Sequence, residues 1–143
     1  MMNESRIGIY NYVYGLLFGK VSDNVYSMNE PQELTESDTT DGFIVIRVDE
    51  LHDMSEFHGQ TYGWARVFVE AYVPPMSRGR LDRTKYLALE TAINNAINAE
   101  IENGTSETYS IDEDGVLSMD SNADTNANNA YYMYVKSFIV LVG

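Results

Sequence analysis

Both histidines of the chain fall in one stretch, His52-Asp53-Met54-Ser55-Glu56-Phe57-His58, and reactive chemistry is sought there first. Two imidazoles beside Asp53 and Glu56 offer the donor types that hold a divalent metal. His52 beside Asp53 offers a general base with an orienting carboxylate. The spacing argues against both. Five intervening residues do not put two rings on one face of a helix, and no third strong ligand stands at a recognisable distance. No Ser, Cys or Lys motif accompanies the histidines for nucleophilic catalysis. The stretch reads as an exposed polar loop, with a metal-binding or enzymatic role for His52, Asp53, Glu56 and His58 as the lesser alternative.

Asp120-Ser121-Asn122-Ala123-Asp124-Thr125-Asn126 imitates the opening of a calcium loop, because alternate residues offer oxygens. The match fails at two demanding positions. Thr125 stands where the sharp turn needs glycine, and Tyr131 where a bidentate glutamate closes the cage. Asp112-Glu113-Asp114-Gly115 reads as a turn, with Gly115 free to take positive φ. There is no glycine-rich phosphate loop, no nucleophile elbow and no paired-cysteine motif. The chain has no cysteine, which excludes disulfides and thiolate metal sites. The expectation is a protein without catalytic residues, metal or cofactor.

Arg78, Arg80, Arg83 and Lys85 form the one basic cluster, after Pro74-Pro75 and at the entrance of the helix that follows. Cations there oppose the helix dipole, so either a partner compensates or the segment is a solvated loop. The chain carries 22 acidic against 9 basic residues, a net charge of −13. An acidic surface, including that of a second copy, is the natural complement. This balance disfavours ordinary nucleic-acid binding, which needs clustered Lys and Arg. It suits a surface past which DNA moves without sticking. Two segments hold much of the excess with no base: 29–41, with Glu30, Glu33, Glu36, Asp38 and Asp41, and 107–124, with Glu107, Asp112, Glu113, Asp114, Asp120 and Asp124. Residues 29–41 read as a flexible acidic loop and 118–129 as a flexible polar one.

The elements around these groups follow from periodicity. At 143 residues the chain is most simply one domain, 1–143, with length enough for a core. Its start lacks a basic n-region and no apolar run reaches ~18 residues, so neither a signal peptide nor a membrane span is expected. Ile9, Val13, Leu16 and Leu17 make a helical stripe over 4–18, flanked by Tyr10 and Tyr14 and stopped at Gly19. A short strand is expected over 24–28 and a confident one over Phe43-Ile44-Val45-Ile46-Arg47-Val48. Tyr86, Leu89, Ile93, Ala96, Ile97 and Ile101 fix one face of a helix over 80–102, with Asn94, Asn95 and Asn98 opposite and Gly104 as its stop. Short strands are expected over 108–111 and 116–117, and a long closing strand over 131–142. The fold class is α+β: a mixed, mainly antiparallel sheet with the N-terminal helix and the long second helix packed on it.

The strand over 64–73 carries the clearest functional signal. Trp64, Phe68 and Tyr72 alternate with Ala65, Val67, Val69, Ala71 and Val73, with Arg66 and Glu70 on the bulky side. Bulk on both faces calls for something packed on each, and a short chain covers one face with its own helices. Tyr131, Tyr132 and Tyr134 cluster at the start of the last strand, and tyrosine suits interfaces because it buries area behind a polar tip. A half-buried strand face would explain the tyrosines equally.

The order of these elements resembles the tail-completion or tail-terminator proteins of tailed bacteriophages. The residues carrying the resemblance are Asn24-Val25-Tyr26, the proline-containing loop and Gly42 to Val48; then Trp64 to Tyr72, a break and Leu81 to Ile101; then Tyr132 to Val142. The likeness is one of pattern over most of the chain. The segment 29–41 has one proline where the family commonly has more, and 118–129 is more polar than the pattern. The resemblance implies a non-enzymatic structural protein of the virion, assembled in the host bacterial cytoplasm. It would form a homo-oligomeric ring in the neck or at the tail end, a head–tail connector that touches other neck and tail proteins while DNA passes without specific binding. Trp64, Arg66, Phe68, Tyr72, Arg78, Arg80, Arg83, Tyr132 and Tyr134 would then be subunit-interface residues, and the acidic loop would face the passage. The rival reading is a monomeric α+β binding module that recognises a basic partner through its acidic loops.

Overall fold

The computed structural model describes residues 5–29, 31, 33–53, 63–124 and 130–143. The order is α1 (Ser5–Leu17), β1 (Val25–Ser27), α2 (Glu36–Asp41), β2 (Phe43–Val48), β3 (His52–Asp53), β4 (Gly63–Val73), a 3-10 turn (Ser77–Gly79), α3 (Arg83–Asn103), β5 (Tyr109–Asp124) and β6 (Ala130–Val142). The strands lie in one mixed sheet of order β1-β2-β4-β6-β5, with β3 pairing on β4. Only β1 and β2 run parallel; the remaining pairs are antiparallel. The α+β class and the mixed, mainly antiparallel sheet with its two main helices are as the sequence indicates.

Strand alternation divides the sheet into two faces. One carries Ile44, Ile46, Val48, Ala65, Val67, Val69, Ala71, Phe138 and Val140, and α1 and α3 close over it with Ile9, Val13, Leu17, Ile93 and Ile97. These are the helical stripes expected from spacing. The other face has a smaller buried cluster, Phe43, Val45, Tyr72 and Tyr131, with Tyr26, Leu34 and Met133 packed against it.

Five expectations need correction. Residues 29–41 are not simply a loop: 36–41 is α2, started by a full capping box in which Thr35 Oγ1 accepts from Asp38 N and the Asp38 carboxylate accepts from Thr35 N. The wrong inference treated acidity as a sign of solvation, whereas Asp38 is fully buried. Residues 118–124 are strand, the far end of β5, whose polar side chains gave no apolar alternation to read. The two short strands expected near 108–117 are one, interrupted by a bulge where residues 113–116 stand opposite Phe138 alone. The long helix also begins three residues late: Asp82 caps α3 by accepting from Lys85 N, and Arg80 lies outside it. Asn94 turns toward the sheet, where it accepts from Tyr134 Oη at 2.9 Å.

Candidate functional site

The β4 register fixes what lies on the second face. Trp64 pairs with Leu141, Arg66 with Ile139 and Phe68 with Ser137, so these side chains share one surface, which continues onto β5 at Leu117 and Met119. Trp64, Arg66, Phe68, Ile139 and Leu141 are half-buried. Leu117 and Met119 are 56% and 51% exposed. Among the described residues no helix packs over this part of the sheet. Leu34 packs on the separate cluster of Phe43, Val45, Tyr72 and Tyr131, and α2 is tied to β1 there through Asp38 and Tyr26.

Arg66 sits in the middle of this apolar surface. Its Nη1 donates to Ser137 Oγ at 2.8 Å and to Gly115 O at 3.4 Å, and it has no carboxylate partner among the described residues. Arg47 is held differently: Nε donates to Glu70 Oε1 at 2.8 Å and Nη1 to Met28 O. Burial alone would lower its pKa, but the bond to Glu70 and that residue's charge more than offset this and hold it up. Trp64 stacks on His52 with ring centroids 4.3 Å apart, which gives His52 a packing role. Glu56 and His58 lie outside the described residues, as does Glu30. Among the described residues no three His, Cys, Asp or Glu side chains gather to hold a metal.

Two tyrosines expected at a subunit interface are used within the chain. Tyr72 is buried, stacks on Phe43 at 4.7 Å and donates to Glu70 Oε1. Tyr134 is 1% exposed, between Asn94 and Ser118. Neither leaves surface for a neighbour. Tyr132 is half-buried and donates to Gly79 O at 2.7 Å, pinning the loop that carries the arginines.

Arg78, Arg80 and Arg83 are exposed and have no carboxylate partner among the described residues. Arg80 and Arg83 border an open groove of about 540 Å³ lined also by Met76, Leu81, Asp82 and Thr84. Of the acidic residues expected in a solvated loop, Glu33, Glu36 and Asp41 are exposed and Asp38 is not.

Other buried polar groups carry no recognisable catalytic geometry. Glu100 accepts from Tyr12 Oη at 2.7 Å, from Thr105 N at 3.0 Å and from Thr105 Oγ1. Burial would raise its pKa, yet these donors together with Lys20 bring it below the ordinary carboxylate value. Lys136 is buried with, among the described residues, one long bond to Ser118 Oγ at 3.4 Å, and burial lowers its pKa against a smaller opposing pull from Glu90. Sequence reasoning missed Leu117 and Met119, although their i, i+2 spacing on one face was a signal; the surrounding acids and serines masked it. No helix among the described residues is long and apolar enough to cross a membrane. No protein-family model matches the chain, and no curated protein matches it.

Proposed function

We propose that this protein is a structural subunit of a tailed-bacteriophage particle, forming a ring in the neck or at the tail end that joins head to tail and lines the DNA passage. The observation that carries the assembly reading is the apolar sheet surface of Trp64, Phe68, Ile139, Leu141, Leu117 and Met119, over which no described helix packs. A sheet face of this composition is ordinarily covered, and a neighbouring subunit is the available cover for a short chain. Heterologous contacts of this kind close into rings where the rotation between copies permits. The order of helix, short strand, strands, long helix and closing strand supports the tail-terminator assignment. The acid excess supports passage of DNA without adhesion, because phosphates and carboxylates repel.

The test is native mass at low and high salt, alone and with purified neck and tail components. A discrete multi-copy species in either setting is the expected result. A monomer that binds none of those components would overturn the ring reading in favour of the monomeric binding module.

A further inference from the structure

We infer that the arginine-lined groove of one copy receives the acidic bulge of β5 from the next copy, so that subunits join head to tail. This rests on the ring reading above and specifies its polar contact.

The groove side is built before any partner arrives. Met76 N donates to Arg80 O at 2.7 Å, Gly79 N to Met76 O at 3.0 Å, and Tyr132 Oη to Gly79 O at 2.7 Å. Arg78 is held at φ 64, a conformation uncommon outside glycine that the surrounding bonds maintain. Arg80 and Arg83 thus line the groove, and neither is ion-paired among the described residues; the one carboxylate in the lining, Asp82, caps α3 and pairs with Lys85 instead. Met76, 43% exposed, adds an apolar contact beside them.

The acidic side is also shaped. Asp112 Oδ1 accepts from Asp114 N at 3.1 Å, and the bulge pushes Glu113 and Asp114 out to solvent. None of Asp112, Glu113 or Asp114 has a cationic partner among the described residues. Leu117, 56% exposed and three residues beyond Asp114, matches Met76 in kind.

Position makes the contact intermolecular. The arginine loop is tied to Tyr132, whereas the acidic bulge begins at Asp112, opposite Ile139. Seven residues of β6 separate the two stations, roughly 23 Å at strand rise. Charges at opposite ends of one sheet cannot satisfy each other within a copy. Joined between copies, unlike patches give a heterologous interface that closes if its rotation permits.

Two charge reversals test the pairing: Arg80→Glu with Arg83→Glu, and Glu113→Arg with Asp114→Arg. All four positions are solvent-exposed, and circular dichroism checks that each variant folds. The expected result is wild-type protein in a multi-copy species, each double variant alone weakened at least tenfold in assembly, and a one-to-one mixture restored to wild-type mass. Wild type and both variants assembling equally would overturn the pairing while leaving the ring reading intact. Variants that stay apart when mixed would also overturn it. A wild type that remains monomeric with neck and tail components at low salt would overturn the ring reading and this contact with it.

Discussion

The hydroxyl of Tyr26 donates to both carboxylate oxygens of Asp38, at 2.9 and 2.8 Å. This bond ties the first turn of α2 to β1, and the same carboxylate accepts from Thr35 N to complete the capping box. A fully buried aspartate is thereby satisfied by a phenol and a backbone amide. The consequence is that an acidic segment becomes cover for Phe43 and Tyr72 on the second sheet face.

Asp38→Ala should destabilise the protein by about 1–3 kcal/mol, since it removes the cap and leaves Thr35 N and Tyr26 Oη unpaired. Tyr26→Phe should cost less than Asp38→Ala at neutral pH. The Tyr26 pKa is pushed up to about 12 from 10.0, by burial first and then by the bond to Asp38 and its charge. A folded-state pKa above the unfolded one gives stability that is complete below pH 10 and lost as pH rises toward 12. Urea titrations between pH 8 and pH 11 (about the range that brackets the unfolded pKa) should therefore show a shallower alkaline loss in Tyr26→Phe. Equal alkaline loss in both proteins would refute this assignment.

Glu100 contributes to the acid limb. Its folded pKa lies below the ordinary value of 4.5, so its contribution is present above that value and disappears as pH falls through the lowered one. Glu100→Gln should be less stable than wild type at pH 7, by about 1–2 kcal/mol, and should converge with it in acid. Thermal unfolding across the acid range checks the convergence.

Lys136 works in the opposite sense. Its folded pKa is depressed by burial, so between that value and 10.5 the unfolded chain binds more protons and stability rises with pH. Lys136→Met keeps the length of the side chain and removes the charge from the core. It should raise Tm at pH 7, by about 3 °C for a gain of about 1 kcal/mol, and flatten the alkaline rise. A lower Tm would mean that the charge is better satisfied than its one long bond to Ser118 indicates.

Gly42 closes α2 at φ 85, and a Cβ there would run into the carbonyl oxygen of Tyr72. Gly42→Ala combines positive φ with a collision against backbone of the central strand. It should lower stability by about 2 kcal/mol or more, read by denaturant midpoint at unchanged slope.

The sequence by itself determined the elements whose side chains repeat with a backbone period. Ile9, Val13 and Leu17 marked α1, Ile93 and Ile97 marked α3, and the alternation from Trp64 to Val73 gave β4 with its two faces. Helical and strand periods are local, so the pattern is visible without knowing the neighbours. Composition also determined the acid excess and the isolation of the arginine cluster. Tertiary structure alone decided where polar residues went. Asp38 read as one acid of a solvated loop until Tyr26 and the Thr35 amide came close enough to replace water around it, and the burial of Glu100 depends likewise on Tyr12 and Thr105. Tyr72 and Tyr134 looked like interface residues until Phe43 and Asn94 occupied their free sides. The i, i+2 spacing of Leu117 and Met119 put them on one face, but the β5–β6 register decided which face, the one that holds Trp64 and Phe68. Polar satisfaction and strand register depend on contacts distant in the chain, and a one-dimensional reading has no period from which to extract them.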